Sequence, residues 1–267
     1  MSAREKNEIR FLGTAGARFV MITQFRSSAG TVLSLKDTNV LIDPGPGTLV
    51  RFASSKPRLN PAKLHAIILT HKHLDHSNDV NVMIEAMTEG GFKHRGVLLC
   101  PNDALSDEGD AVVLNYYRGL LERVEVMKEG GIYSVGKLEI NTPKRHVHSV
   151  ETYGLNVKIR GENKTKVSFL VDTLYFDGLE DYYDGEVLVM NVAMYKRREG
   201  VDHLCVDDAK RIIEARRPKP KVTILTHFGM TMLRNKPWEI AKQLSEETGE
   251  KVIAARDGMK FELSGFV

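Results

Sequence analysis

The stretch Ile67-Ile68-Leu69-Thr70-His71-Lys72-His73-Leu74-Asp75-His76 decides how this chain is read. It begins as an unbroken apolar run, 66–69, of the kind carried by a strand covered on both faces. It then turns into three histidines and one aspartate within six residues. Val80, Met83, Ile84 and Met87 follow at helical spacing, and Gly90-Gly91 closes that segment. Four potential metal ligands therefore sit where a buried strand hands over to a helix. Side chains alternate along an extended segment, so His71 and His73 face the same way. Asp75 and His76 come one turn later and can face a second ion beside the first.

Carboxylates and histidines recur at other strand ends. Asp43 follows the apolar residues 40–42, and Asp172 ends the run 167–171. His227 follows 222–226, repeating the Thr-His step of Thr70-His71. His146 and His148 precede the alternating Leu155, Val157 and Ile159. Taken singly, a strand-end histidine is more often a satisfied polar residue and a strand-end aspartate a cap. Gathered in one chain with the first motif, they point to a metal site. Asp43 keeps two roles open: capping a turn or the helix near Thr48, or accepting an N–H from a ligating imidazole and fixing its ring.

The chain has 267 residues, long for one domain but within the range of α/β and layered folds. Its net charge of +3 permits an anionic substrate without demanding one. Two cysteines, Cys100 and Cys205, exclude a disulfide framework and fit a reduced, cytoplasmic setting. No apolar run is long enough for a membrane span, and residues 1–8 show no signal-peptide pattern. Basic residues do not cluster with interleaved aromatics, which counts against a nucleic-acid-binding module.

Residues 9–12 read as a first strand and 13–16 as a turn-forming loop lacking a dinucleotide fingerprint. Residues 31–35 and 40–42 read as a hairpin around 36–39, and 96–100 as a short buried strand stopped by Pro101. Strands are expected at 124–127 and 137–140, separated by Gly130-Gly131. The segment 102–121, with Asp103, Asp107, Glu108 and Asp110, is either a lid over the site or a solvated connector. Asp207 is the expected N-cap of a helix with Ile212 and Ile213 on its apolar face. The basic run 216–221 reads as a solvated turn after that helix.

The spacing H-x-H-x-D-H at His71, His73, Asp75 and His76 resembles the metallo-β-lactamase superfamily. The resemblance implies an α/β four-layer αββα sandwich in a single domain, 1–267, with two mixed sheets, helices outside and metals at one edge. The strand-then-helix alternation in both halves agrees with it independently. By the same resemblance His71, His73 and His148 hold one ion, Asp75, His76 and His227 the other, and Asp172 bridges them. His148 is preferred to His146 because Ser149-Val150 and Gly154 before a strand look like the family's third motif. Asp43, Thr70 and Thr226 are assigned to support the ligands. Two divalent ions are implied, Zn²⁺ foremost, with Mn²⁺ or Fe²⁺ suited to the same donors. Two metals about 3.5–4 Å apart generate a bridging hydroxide at neutral pH and neutralise transition-state charge. Asp75 can also accept the nucleophile's proton.

His203, between the expected bridging aspartate and the last histidine, is similar in placement to a histidine of ribonuclease Z and of cyclic-phosphate phosphodiesterases. That resemblance implies a phosphate contact and general acid. Phe11-Leu12-Gly13-Thr14, Arg26-Ser27-Ser28-Ala29 and Asp257-Gly258-Met259 look like the same branch. The chain departs from it in two ways. Between His148 and Asp172 it has room for one short hairpin turning at 161–163, with no arm for tRNA. Its two cysteines cannot form the phosphonate enzymes' structural zinc site. The expected substrate is therefore a small-molecule or short-nucleotide phosphodiester. A lactone, thioester or other acyl hydrolase on the same metals is the alternative, a non-catalytic metal-binding member a third, and a homodimer is left open.

Overall fold

A computed structural model describes residues 7–106 and 109–266. Asp107, Glu108 and residues 1–6, on which two of the expectations above fall, lie outside the described residues. The first sheet is built from β1 (Glu8–Phe11), β2 (Thr31–Leu35), β3 (Thr38–Ile42), β4 (Ala66–Ile68), β5 (Val97–Cys100) and β6 (Arg123–Val126). The second takes β7 (Gly131–Val135), β8 (Leu138–Thr142), β9 (Leu155–Ile159), β10 (Thr165–Leu170), β11 (Val187–Asn191), β12 (Val222–Thr226) and β13 (Val252–Ala254). The last strand, β14 (Lys260–Glu262), returns to the edge of the first sheet, beside β1. The orders are β14-β1-β2-β3-β4-β5-β6 and β13-β12-β11-β10-β9-β8-β7.

Alternation along β4 shows why its run is apolar throughout. Ala66 and Ile68 join the core shared by both sheets. Ile67 and Leu69 pack outward beneath helices α2 (Thr48–Ser54) and α4 (Val80–Met87), the latter burying the four residues expected of it. The short α1 (Ala17–Thr23) and α3 (Leu74–Ser77) lie at the edge of this layer, and α5 (Asn115–Arg118) follows later. The second sheet's outer face carries Leu188, Met190 and Leu225. These pack against α6 (Val206–Ala215) and α8 (Pro237–Thr248), with α7 (Met230–Arg234) between them in sequence. The result is the expected αββα sandwich of two mixed sheets.

In the first sheet β3, β4, β5 and β6 pair in parallel, and in the second β10, β11, β12 and β13 do. Parallel pairing aligns carboxyl ends, so the residues just after β3, β4, β10, β11 and β12 share one edge of the sandwich. That alignment brings together strand ends far apart in the chain.

Several local expectations are corrected. The β2–β3 turn is two residues, Lys36 and Asp37, both at positive φ, not four. This left-handed pair matches the twist of the flanking strands. A strand the sequence reading omitted, β7, follows directly from Gly131, because the chain leaves the first sheet after β6 and enters the second at its edge. The cap of α6 is not Asp207: Cys205 occupies the N-cap, and its N–H donates to the Asp208 carboxylate.

The basic run is a solvated turn only in part, at Arg217 and Lys221. Arg216 is fully buried and donates to the carbonyls of Tyr183 and Gly185, while Arg217 and Lys219 bond the last carbonyls of α6. Cations there complement the helix's negative end. The segment 102–121 buries Ala104, Val113 and Leu121 in the outer core of the first sheet, which makes its described part an anchored connector. No helix among the described residues is long and apolar enough to cross a membrane.

Candidate metal centre

Several potential ligands stand just past the carboxyl end of a strand. His71 follows β4 and is fully buried, while Asp75 and His76 lie on the single turn of α3. Asp172 follows β10 and His227 follows β12, both buried. His227 and Asp43 hold positive φ (60° and 52°), a strained backbone that turns each side chain inward at a strand end. His148 lies in the loop between β8 and β9, zipped to the loop after β10 by Leu174 N–H donating to Val147 O at 2.8 Å.

The ligand atoms of His71, His73 and His148 lie within 4.8 Å of one another, and so do those of Asp75, His76 and His227. Asp172 sits between the two groups. Its Oδ2 is 3.3 Å from His76 Nε2 and 3.7 Å from His71 Nε2, and its Oδ1 is 3.3 Å from His227 Nδ1. His203 joins from the side, its Nδ1 3.7 Å from Asp172 Oδ2 and its ring centroid 5.2 Å from that of His148.

Hydrogen-bond partners behind the rings decide which nitrogen carries each proton. His76 Nδ1 donates to Asp43 Oδ2 at 2.9 Å, since a carboxylate only accepts, so in the neutral ring Nε2 presents its lone pair inward. His148 Nδ1 donates to the Asp202 carbonyl at 2.9 Å, leaving Nε2 likewise free. Thr70 Oγ1 donates to Asp43 Oδ2 at 2.7 Å and accepts from His71 Nδ1 at 3.1 Å. His71 Nε2 is then a buried lone pair with no hydrogen-bond partner, and His227 Nδ1 is also buried and unpartnered.

Ring nitrogens consequently face one another: His76 Nε2 meets His227 Nε2 at 3.0 Å and His148 Nε2 meets His73 Nδ1 at 3.1 Å, so each pair offers at least one lone pair when the rings are neutral. Among the described residues no lysine or arginine pairs with Asp43, Asp75 or Asp172. A buried, negative, lone-pair-lined cluster needs cations, and imidazole with carboxylate is the donor set of Zn²⁺, Mn²⁺ or Fe²⁺. The residues fit a pair of divalent ions.

Titration follows the same charges. Burial drives His71 well below its ordinary pKa and takes His73 to about 4, with His148 adding to the second shift. Burial opposes ionisation of Asp172, but His227, His203 and His76 outweigh it and hold the carboxyl well below its usual range. His76 resists desolvation because Asp75, Asp43 and Asp172 surround it, which raises it well above 6.5. Without a cation, then, a proton on His76 takes up part of the negative charge.

All seven sequence-nominated ligands, with Asp43, Thr70 and His203, are brought to this edge. Asp43 does not cap α2, which follows Gly47 with no side-chain cap. Thr226 also lines the site, and its backbone carbonyl accepts from Val192 N–H, which extends the pairing of β11 with β12. His146 is buried behind the ligands: its Nδ1 donates to the Asp172 carbonyl at 3.0 Å, and its Nε2 meets the Tyr183 hydroxyl. Burial lowers its pKa to about 4. Sequence reasoning missed Asn191, whose Nδ2 donates to Asp172 Oδ1 at 2.9 Å. A polar residue closing the apolar β11 was the same signal that nominated Asp172. It also missed Gly16, where a Cβ would lie 2.2 Å from His227 O. Nothing local in the sequence marks that approach.

Residues 38–228 match the family model described as the beta-lactamase superfamily domain. The uncharacterized protein MJ1374 of Methanocaldococcus jannaschii is 31% identical over 262 residues, covering 96% of this chain and 95% of its own length. Ribonuclease Z of Clostridium novyi is 24% identical over 287 residues, covering 85% of this chain and 90% of its own. The crystal structure of the metallo-beta-lactamase fold protein YhfI from Bacillus subtilis superposes with a TM-score of 0.76 at 19% identity, over 96% of this chain and 98% of that one. With the histidine–aspartate edge and the paired mixed sheets already in view, the match over most of its length makes this chain a member of the beta-lactamase superfamily, with the fold of its metallo-hydrolases.

Proposed function

We propose that the protein is a dinuclear metal-dependent phosphodiesterase acting on a small-molecule or short-nucleotide phosphodiester. His71, His73 and His148 would hold one ion, Asp75, His76 and His227 the second, with Asp172 shared. When bound, such a pair supplies Lewis acidity and a water of lowered pKa. Asp43, through His76 directly and through Thr70 to His71, selects the tautomer in which the inward nitrogens of the neutral rings would face those ions. Asp75 would also accept the nucleophile's proton.

The observation that carries phosphoryl over acyl chemistry is His203. It stands beside the shared carboxylate, partly open to solvent, stacked on His227 at 5.8 Å. There it contacts phosphate and delivers a proton to the departing oxygen, a contribution of about 10²–10⁴-fold. Burial lowers its pKa while Asp172 opposes the shift, and an anionic substrate adds to that opposition. The ribonuclease Z relative lends support, since its name denotes cleavage of RNA. A tRNA substrate is disfavoured because β9 and β10 are joined by only five residues, 160–164, too few for a gripping arm.

The test is His203→Ala assayed with Zn²⁺ and Mn²⁺ on nucleoside 2′,3′-cyclic phosphates, bis-p-nitrophenyl phosphate, a homoserine lactone and a thioester. The cyclic phosphates should lose most, because an alkoxide needs the proton, and bis-p-nitrophenyl phosphate less, because p-nitrophenolate leaves without one. Rapid turnover of the lactone or thioester alone by the unaltered protein would replace this proposal with acyl hydrolysis.

A further inference from the structure

Two buried groups outside the ligand set converge on the backbone of Asp172. His146 is 4% exposed and its Nδ1–H donates to the Asp172 carbonyl at 3.0 Å. Its other nitrogen, Nε2, accepts from the hydroxyl of Tyr183, itself 1% exposed. The imidazole is thereby locked in one tautomer and one orientation, the form that can donate to a carbonyl. Tyr183 has little freedom of its own. A Cβ at Gly154 would come within 2.2 Å of its hydroxyl oxygen, so only glycine there lets the ring lie this close.

The neighbouring backbone repeats the link. Val147 N–H donates to Thr173 Oγ1 at 3.2 Å, and Leu174 N–H donates to Val147 O at 2.8 Å. His146 therefore ties the loop bearing His148 to the loop bearing Asp172. Meanwhile Asn191 holds the carboxylate itself through Oδ1.

We propose that Tyr183 and His146 form a positioning relay that sets the backbone of Asp172, and through it the carboxylate shared by the two histidine groups. The inference rests on the dinuclear reading above. His146 would touch neither substrate nor ion; it acts through Asp172. Its loss lets the Asp172 loop drift, and because Asp172 faces both triads the weakening falls on both ions together. Hydrogen-bonding partners behind ligands typically change metal affinity by about 10–100-fold, and a bond to the backbone belongs near the lower figure.

The experiment titrates the metal-free full chain with Co²⁺, following the visible absorption of the bound ion, for the unaltered protein, His146→Leu, His146→Asn and Tyr183→Phe. His146→Asn retains an N–H near the position of Nδ1, and His146→Leu removes it. About a tenfold loss of Co²⁺ affinity in His146→Leu is expected, with a changed absorption envelope, a smaller loss in Tyr183→Phe and partial recovery in His146→Asn. Melting temperatures taken without metal separate this from general damage. Should His146→Leu misfold, Tyr183→Phe carries the test, since it leaves the imidazole in place. Unchanged affinity and spectrum in Tyr183→Phe and His146→Leu would overturn the relay, as would His146→Asn binding no better than His146→Leu. Failure of the unaltered protein to take up Co²⁺ or Zn²⁺ would instead overturn the dinuclear reading.

Discussion

Replacing Asp43 by asparagine tests the logic of the site most directly. Asparagine tolerates the left-handed backbone at this position (φ 52°), so the change is chemical, not conformational. Asp43 accepts from Thr70 N–H at 2.7 Å, Thr70 Oγ1 at 2.7 Å and His76 Nδ1 at 2.9 Å. In Asp43→Asn one carboxylate oxygen becomes an NH₂ facing two donors. Thr70 can rotate its hydroxyl and accept from the new amide, and its second lone pair still serves His71. His76 has no such escape: its Nδ1 must become the acceptor, which moves the proton to Nε2, the atom aimed at His227 and Asp172.

The Asp75, His76 and His227 group should therefore lose about 10–100-fold in metal affinity, while the His71, His73 and His148 group loses much less. Stability without metal should fall by about 1.5–3 kcal/mol, one charge-assisted hydrogen bond. Competitive chelator titration with Zn²⁺ resolves the two classes of site, and urea unfolding measures stability. Two unchanged Zn²⁺ sites in Asp43→Asn would refute the assignment of the His76 tautomer, and equal weakening of both would refute the argument that Thr70 buffers His71.

Other perturbations probe separate links. Gly16→Ala puts a Cβ 2.2 Å from His227 O and 2.4 Å from its Nδ1; it should cost about 1–3 kcal/mol and shrink the Zn²⁺-induced rise in melting temperature, and an undiminished rise would count against it. Met83→Ala, in the core under the first sheet and fully buried, should cost about 2–5 kcal/mol in urea unfolding with Zn²⁺ affinity unaltered. His65 lies away from the site, and its Nδ1 accepts from Asn39 N–H at 3.1 Å. Burial, then Arg95, lowers its pKa below 6.5. Its native form is neutral, so its contribution is complete above pH 6.5 and is lost as pH falls through the lowered value. The stability gap between the unaltered protein and His65→Leu should accordingly narrow from pH 7 to pH 5, and a gap that widens would reverse the sign.

What the chain determines by itself is whatever is written within a few consecutive residues. The apolar run into β4, the spacing of His71, His73, Asp75 and His76, the helical face of Val80 to Met87, and a polar residue closing each of several buried strands are all local patterns. The ligand candidates are legible for that reason, and Asn191, a polar residue closing the apolar β11, carries the same local signal.

What the tertiary structure alone decided depends on partners far off in sequence. Asp43 meets Thr70 across 27 positions, and His76 meets His227 across 151. No periodicity records which strand ends will share an edge; parallel pairing does that. Nor does a histidine's neighbourhood in sequence say which nitrogen keeps its proton. Asp43 and the carbonyls of Asp202 and Asp172 make that choice, because only a folded chain can set an acceptor behind a ring. Arg216, charged and in a run that looked solvated, is buried for the same reason: the carbonyls that receive it belong to residues 183 and 185.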